Sequence, residues 1–287
     1  MLDGHEAFAS YLSHCDGCLE RTVETKLGER PQYYHRHVTA MLIHRDGQLL
    51  LDAEPQLPGE GETVAAMRLL KRILHKCPRA FNLVCGDALH IDPDLWKLAL
   101  RHNKHFVAVL KNENRDLLTD ARSLFDQVEP VHSGYGQTQR VSWDIEGFKT
   151  WSQLGKDVRV VRSMETTTVR RRHTKQTQQL TSEWVWATSL TKRQAGTQAV
   201  ITIGHRRWCI ENNGFNELAN NWHADHRYKH HPNALLVFLL LTYLAYNLFH
   251  AMVARNIKPQ LRAKHTQRFF ADLITAEFYQ GRPFQPP

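Results

Sequence analysis

Three acidic residues far apart in the chain, Asp3, Asp87 and Glu211, stand where a carboxylate would have chemistry to do. Glu211 lies in the stretch His205 to Trp222, in which Trp208, Phe215, Leu218 and Trp222 recur at spacings of seven, three and four. At about 100° per residue these four fall within an arc of roughly 80°, and Glu211 projects inside that arc. A carboxylate on an apolar face is costly unless a cation compensates it. Arg207, four residues earlier, offers an internal ion pair. A metal ion offers the other answer. Asp87 follows the short apolar run Phe81-Asn82-Leu83-Val84-Cys85, and Asp3 sits in a Leu-Asp-Gly stretch of similar character. Three carboxylates gathered by folding make the hard-oxygen donor set that magnesium or manganese prefers. Two such ions roughly 4 Å apart can activate a water or hydroxyl and stabilise the leaving oxygen in phosphoryl transfer.

A second group of residues has metal-binding character. Cys15 and Cys18 form Cys-x-x-Cys, and His14, His35 and His37 offer ligands to complete a tetrahedral Zn2+ site. Ordinary reduced thiols are the alternative. Asp225-His226 and His230-His231 read as a polar, DNA-facing turn rather than a metal motif. The five cysteines are too few and odd in number for a disulfide framework, and no charged-then-apolar secretion signal opens the sequence. A reducing cytosol fits these features.

The elements that must position these residues can be read from periodicity. Tyr33 to Ile43 and Gln48 to Ala53 predict two strands joined at His44-Arg45-Asp46-Gly47, an Asp-Gly hairpin turn. Glu62 to Lys76 predicts an amphipathic helix. The run 81–85, a helix that Asp92-Pro93 caps and starts and that continues to about His102, and the run His105 to Lys111 form a strand, helix, strand crossover. Such a unit implies parallel strands, with Asp87 at the carboxyl end of the first, where functional groups face the crevice. The segment 112–190 reads as an inserted, mostly β region, and 191–287 returns to helix. The expected division is therefore 1–111, 112–190 and 191–287. Within the insertion, Arg170-Arg171-Arg172-His173-Thr174-Lys175 is a solvated turn or a phosphate-contacting loop. Trp143 and Trp151 are core residues or platforms for an unpaired base. Ala234 to Val253 is long and apolar enough to span a bilayer, but Thr242, Asn247 and His250 interrupt it, which favours a fully buried core helix.

Composition limits the partners. The chain has 287 residues, 42% hydrophobic and 23% charged, the balance of a globular protein rather than a disordered one. Lysine and arginine outnumber aspartate and glutamate 37 to 29, giving a formal charge of +8. The sequence pI is about 9.3. A polyanion is the partner such a surface suits.

Leu2-Asp3-Gly4-His5, Cys15-Asp16-Gly17-Cys18-Leu19, Tyr34-His35-Arg36-His37-Val38, Leu51-Asp52-Ala53-Glu54-Pro55, Gly86-Asp87-Ala88-Leu89 and Arg206-Arg207-Trp208-Cys209-Ile210-Glu211-Asn212 together carry a family likeness. With these motifs the sequence resembles the catalytic domain of bacterial insertion-sequence transposases of the DDE type, over nearly its whole length. The resemblance implies an α/β, ribonuclease-H-like mixed sheet flanked by helices, with a β-rich insertion and a helical carboxyl-terminal segment. It implies cut-and-paste DNA strand cleavage and transfer with two Mg2+ or Mn2+ ions, by a cytoplasmic protein that acts as a homodimer on DNA and needs no membrane. Asp3, Asp87 and Glu211 would be the catalytic and metal-holding acids. Arg207 would be the basic residue that precedes the third acid by four, and Arg206, Arg170, Arg171, Arg172, Lys175 and Trp143 are the expected DNA contacts. The family's terminal signature usually has Tyr three residues before that Arg and Lys seven after the Glu, where this chain has Gly204 and Leu218. Only two residues precede Asp3, so the expectation is an incomplete first strand or a natural chain that begins upstream with an end-recognising DNA-binding part. A catalytically decayed DNA-binding remnant is one alternative. A basic membrane-associated protein anchored by 234–253 is another.

Overall fold

A computed structural model describes residues 1–44, 47–111, 115–171, 176–226 and 228–279. The chain divides into two compact units, one built from residues 3–69 and 209–287 with Met1, the other from 70–208 with Leu2.

The first unit is built on antiparallel strands: β1 (Leu2–Ser10), β2 (Leu19–Thr25), β3 (Gly28–His44) and β4 (Gly47–Pro55). The long β3 lies between β1 and β2 and also pairs with β4. Its first part, rich in exposed polar residues, meets β2 from Gly28 to Tyr34, and its buried apolar part meets β4 from His37 to His44. The hairpin expected from the sequence is present, with His44 opposite Gly47, while Arg45 and Asp46 of its turn lie outside the described residues. β1 runs nine residues onward from Leu2, and Asp3 is its second residue.

The carboxyl-terminal piece packs on this sheet through α6 (Pro232–Asn256), preceded by α5 (Asn216–Trp222). Met41, Leu50 and Ala53 of the sheet share one core with Ile210, Phe215, Leu218, Leu239, Tyr243 and Tyr246. The polar residues that interrupt the apolar run have partners. Asn247 accepts from the Leu50 N–H at 2.9 Å and donates to the Leu50 carbonyl at 2.7 Å, satisfying backbone groups of β4. Thr242 bonds back to the Phe238 carbonyl, and the Tyr243 hydroxyl meets Thr39 at 2.7 Å. The expectation of a fully buried helix is corrected: Val237, Leu241, Leu244 and Leu248 are each more than half exposed. A helix lying across a sheet buries only the stripe that meets it, here Leu235, Leu239, Tyr243, Tyr246 and Val253. Two shorter helices, α7 (Pro259–Lys264) and α8 (Gln267–Tyr279), follow.

The second unit is entered through α1 (Glu62–Lys76), the predicted amphipathic helix. Its sheet runs β5-β6-β10-β9-β8-β7, comprising β5 (Leu83–Gly86), β6 (His105–Val109), β7 (Val131–Tyr135), β8 (Thr138–Phe148), β9 (Val158–Arg170) and β10 (Thr177–Thr188). β5 and β6 are parallel and joined by α2 (Pro93–Arg101), the predicted crossover. Asp92 caps α2 by accepting from the N–H groups of Asp94 and Leu95, with Pro93 at the first turn. The segment 112–190 contains α3 (Arg115–Phe125) and four strands, and its last strand pairs antiparallel with β6 and so joins the same sheet. Helix α4 (Thr197–Arg206) follows β10.

Candidate active site

Asp87 immediately follows β5, the position at which a parallel pair of strands presents groups to a crevice. Its carboxylate caps the short 3-10 turn Ala88–His90, accepting from the Leu89 N–H at 2.9 Å. The fully buried His90 ring places Nδ1 2.8 Å from the same carboxylate oxygen. Burial pushes the Asp87 carboxyl up, but His90, the Leu89 N–H and the nearby Arg207 charge outweigh it and hold the group below its ordinary value. Asp87 is therefore an ionised, oriented oxygen donor. His90 was missed in the sequence. The clue was its position three residues after Asp87 in a turn too short for a helix, which returns its ring to the acid.

Arg207 is buried, with its guanidinium 4.4 Å from the centre of the Trp208 ring. In this structure its charge acts on Asp87. Arg207 reaches this place because α4 packs closely on β10. A methyl group at Gly204 would lie 2.2 Å from Nε1 of the buried Trp186 indole, so a side chain at this helix position forces the indole or the helix to shift. That contact explains a departure noted in the sequence, glycine where the family signature has tyrosine. The second departure, Leu218, is likewise structural, since its side chain is buried in the core of the first unit.

Glu211 is not on a continuous α-helix. α4 ends at Arg206, a π-helical turn spans Ile210–Phe215, and α5 begins at Asn216. The Asn216 N–H bonds to the Glu211 carbonyl five residues back. This wider turn shifts the phase of the residues before it, so Trp208 leaves the predicted apolar stripe and is 38% exposed, while Phe215 and Leu218 stay buried. π-Helical turns of this kind concentrate at functional sites. Within the first unit, β1 packs on the turn directly: the His5 ring stacks on Phe215 with centroids 4.4 Å apart. Asp3 precedes His5 by two residues on the same face of β1. Asp3 is buried, and its carboxylate accepts from the Gly4 N–H at 2.9 Å. Burial also pushes His5 below its ordinary value, so this ring packs neutral.

The expected DNA contacts are placed as follows. Arg206, at the end of α4, is exposed, as are Arg170 and Arg171 at the turn between β9 and β10. Arg171 donates to the Gln178 side chain and Gln176 accepts its backbone N–H, which extends the antiparallel β9–β10 pairing beyond Arg170 and Thr177. Arg172 and Lys175 lie outside the described residues. Trp143 is half-buried on β8, with the Arg162 guanidinium 4.6 Å from its ring centre and Phe125 6.4 Å away, so packing partners already hold it.

Cys15 and Cys18, in the connection between β1 and β2, lie with sulfurs 3.8 Å apart. His35 Nε2 is 3.3 and 3.4 Å from the two sulfurs, as expected for one of the three candidate histidines. The other two are corrected: His14 packs tilted against Tyr33, and neither it nor the buried His37 belongs to a metal-ligand group among the described residues. The group includes His230 instead, 3.2 Å from Cys18 Sγ, although the His230-His231 pair read from sequence as a polar turn.

A mixed sheet flanked by helices, a β-rich stretch after the second acid and a helical carboxyl-terminal piece define the ribonuclease-H-like class of α/β proteins. A family model described as a transposase DDE domain matches residues 25–248, most of the chain, and the chain belongs to that family. The match includes Asp87, Arg207 and Glu211, and Asp3 precedes it. No curated protein gives a match. Family membership makes the chain a transposase-domain protein of DNA recombination, with DNA as the implied substrate.

Proposed function

We propose that this chain catalyses DNA strand cleavage and transfer, using Asp3, Asp87 and Glu211 to hold divalent ions. The observation that carries the reading is the direct packing of β1, which bears Asp3, on the π-helical turn that bears Glu211. Asp87 supports it from the second unit as an ionised carboxylate at a strand end. Three carboxylates suit Mg2+ or Mn2+ in charge and hardness. Bound there, such ions would activate the attacking water or hydroxyl and stabilise the departing oxygen.

The chain's own residues supply orientation. His90 and the Leu89 N–H fix the Asp87 carboxylate, and Arg207 adds positive charge beside it. The exposed Arg206, Arg170 and Arg171 hold the phosphodiester backbone by charge, consistent with the overall excess of +8. Two copies acting together on two DNA ends, in the cytoplasm, complete the proposal.

The test is a nicking and strand-transfer assay on DNA carrying the element's ends, with Mg2+ or Mn2+ supplied. Asp87→Asn and Glu211→Gln should each abolish metal-dependent cleavage while the proteins remain folded and bind DNA. Wild-type cleavage by either variant refutes the assignment.

A further inference from the structure

The geometry points to a structural Zn2+ site made by Cys15, Cys18, His35 and His230, which fastens the carboxyl-terminal piece of the first unit to its sheet. All four residues belong to that unit, and all four ligand atoms lie within 4.8 Å of one another. A tetrahedral zinc with Zn–S about 2.3 Å and Zn–N about 2.05 Å has edges of about 3.8 Å between sulfurs, about 3.6 Å between sulfur and nitrogen, and about 3.3 Å between nitrogens. The sulfurs are 3.8 Å apart, and three of the four sulfur to nitrogen separations, Cys15–His35, Cys18–His35 and Cys18–His230, are 3.2 to 3.4 Å. The sulfur separation also excludes a disulfide, which needs about 2.05 Å.

The surroundings are shaped for the ligands. The Cys15 carbonyl accepts from the Cys18 N–H at 2.9 Å, closing the turn, and the Cys15 N–H points at Cys18 Sγ at 3.3 Å. Such amide contacts orient ligands and stabilise thiolate charge. Gly17 lies inside this turn, where an added Cβ would be 2.5 Å from Pro232 and 3.4 Å from His35, so only glycine lets the turn close against the start of α6. Phe8 forms an apolar wall, its ring 5.5 Å from His35 and 5.0 Å from His230.

Two soft thiolates and two imidazoles in a compact tetrahedron select zinc over the hard ions suited to carboxylates. Four protein ligands leave no open position, which marks the site as structural rather than catalytic. Its ligands come from the β1–β2 connection, from β3 and from the segment just before α6. The ion thereby joins pieces of chain separated by almost two hundred residues, between His35 and His230. Metal binding becomes folding energy for this unit.

The test is metal analysis of the full chain, independent of any activity on DNA. One equivalent of zinc per chain should survive gel filtration. Protein stripped and refolded with Co2+ should show the intense visible bands of tetrahedral, thiolate-bound cobalt. His230→Ala should weaken zinc binding more than about a hundredfold, beyond the loss typical of an outer-shell change. His231→Ala, a neighbour outside the group, should keep the metal and controls for damage to the segment. Wild-type protein that binds neither zinc nor cobalt after refolding with them overturns the proposal. So does His230→Ala with unchanged zinc affinity, or a Cys15–Cys18 disulfide found by mass in protein kept under reducing conditions.

Discussion

Gly204→Ala tests how α4 is seated. In an exposed helix this change would stabilise by about 1 kcal/mol, because glycine carries the larger entropic cost. Here the new methyl would meet Trp186 Nε1, Cε2 and Cδ1 at 2.2, 2.4 and 2.7 Å. Reaching ordinary contact near 3.5 Å requires indole or helix to retreat by about 1.3 Å. The indole has little room: Trp186 is 1% exposed, stacked against Trp184 and edge-on to His205. Overpacking of this severity costs about 3 kcal/mol, leaving a net loss of about 2 kcal/mol after the helix gain. For a chain of this size that lowers Tm by roughly 4–8 °C. Circular dichroism melts would measure the shift, and tryptophan fluorescence would report the displaced indole. In a Trp186→Leu background the same methyl should cost less, giving a coupling energy that ties the effect to this contact. A Gly204→Ala protein as stable as wild type, or more so, would refute the close approach and the account of why glycine replaces tyrosine there.

Two further perturbations address the second unit. Arg159, 2% exposed, pairs with Asp144 and bonds to the Leu190 and Ala195 carbonyls, so Arg159→Met should cost about 3 kcal/mol in urea denaturation by leaving the buried Asp144 carboxylate with only the Thr197 hydroxyl and a 4.0 Å contact to Lys192. Replacing Asp144 with leucine as well should recover part of that loss. Glu165 is held down to about 2 because contacts to His205, Arg140 and Ser163 outweigh the opposing effect of burial. With the folded value below the unfolded one, this stabilisation is complete above the ordinary carboxylate range and is lost as pH falls from about 4.5 towards 2. Glu165→Gln should therefore flatten the acid limb of the stability profile; an unchanged limb would remove Glu165 as its source.

Local patterns made much of the fold legible. The β3–β4 hairpin, the amphipathic α1 and the β5-α2-β6 crossover each rest on interactions between neighbours in sequence. The Asp92-Pro93 cap behaves as its residue types dictate. What escaped depends on partners far along the chain. The π-helical turn leaves no mark in a wheel drawn at 3.6 residues per turn, so Trp208 was assigned to the wrong face. His230 becomes a metal-ligand candidate only when α6 docks beside the Cys15–Cys18 turn, which a histidine pair in a polar segment cannot announce. α6 is apolar around most of its circumference, so composition could not show that one face would meet the sheet and another would remain exposed.

The π-helical turn also bears on how Glu211 is held. In an uninterrupted α-helix, Glu211 and Phe215 would share a face, and seating Phe215 in the core would carry the carboxylate inward with it. The wider turn relaxes that coupling: Phe215 is buried under His5, whereas Glu211 remains only half-buried. Desolvation of the acid is thereby reduced without loosening the ring that anchors the turn to β1. The same anchor links the strand that bears Asp3 to the turn that bears Glu211. Ring packing between His5 and Phe215 thus keeps the two carboxylate-bearing elements of the first unit together.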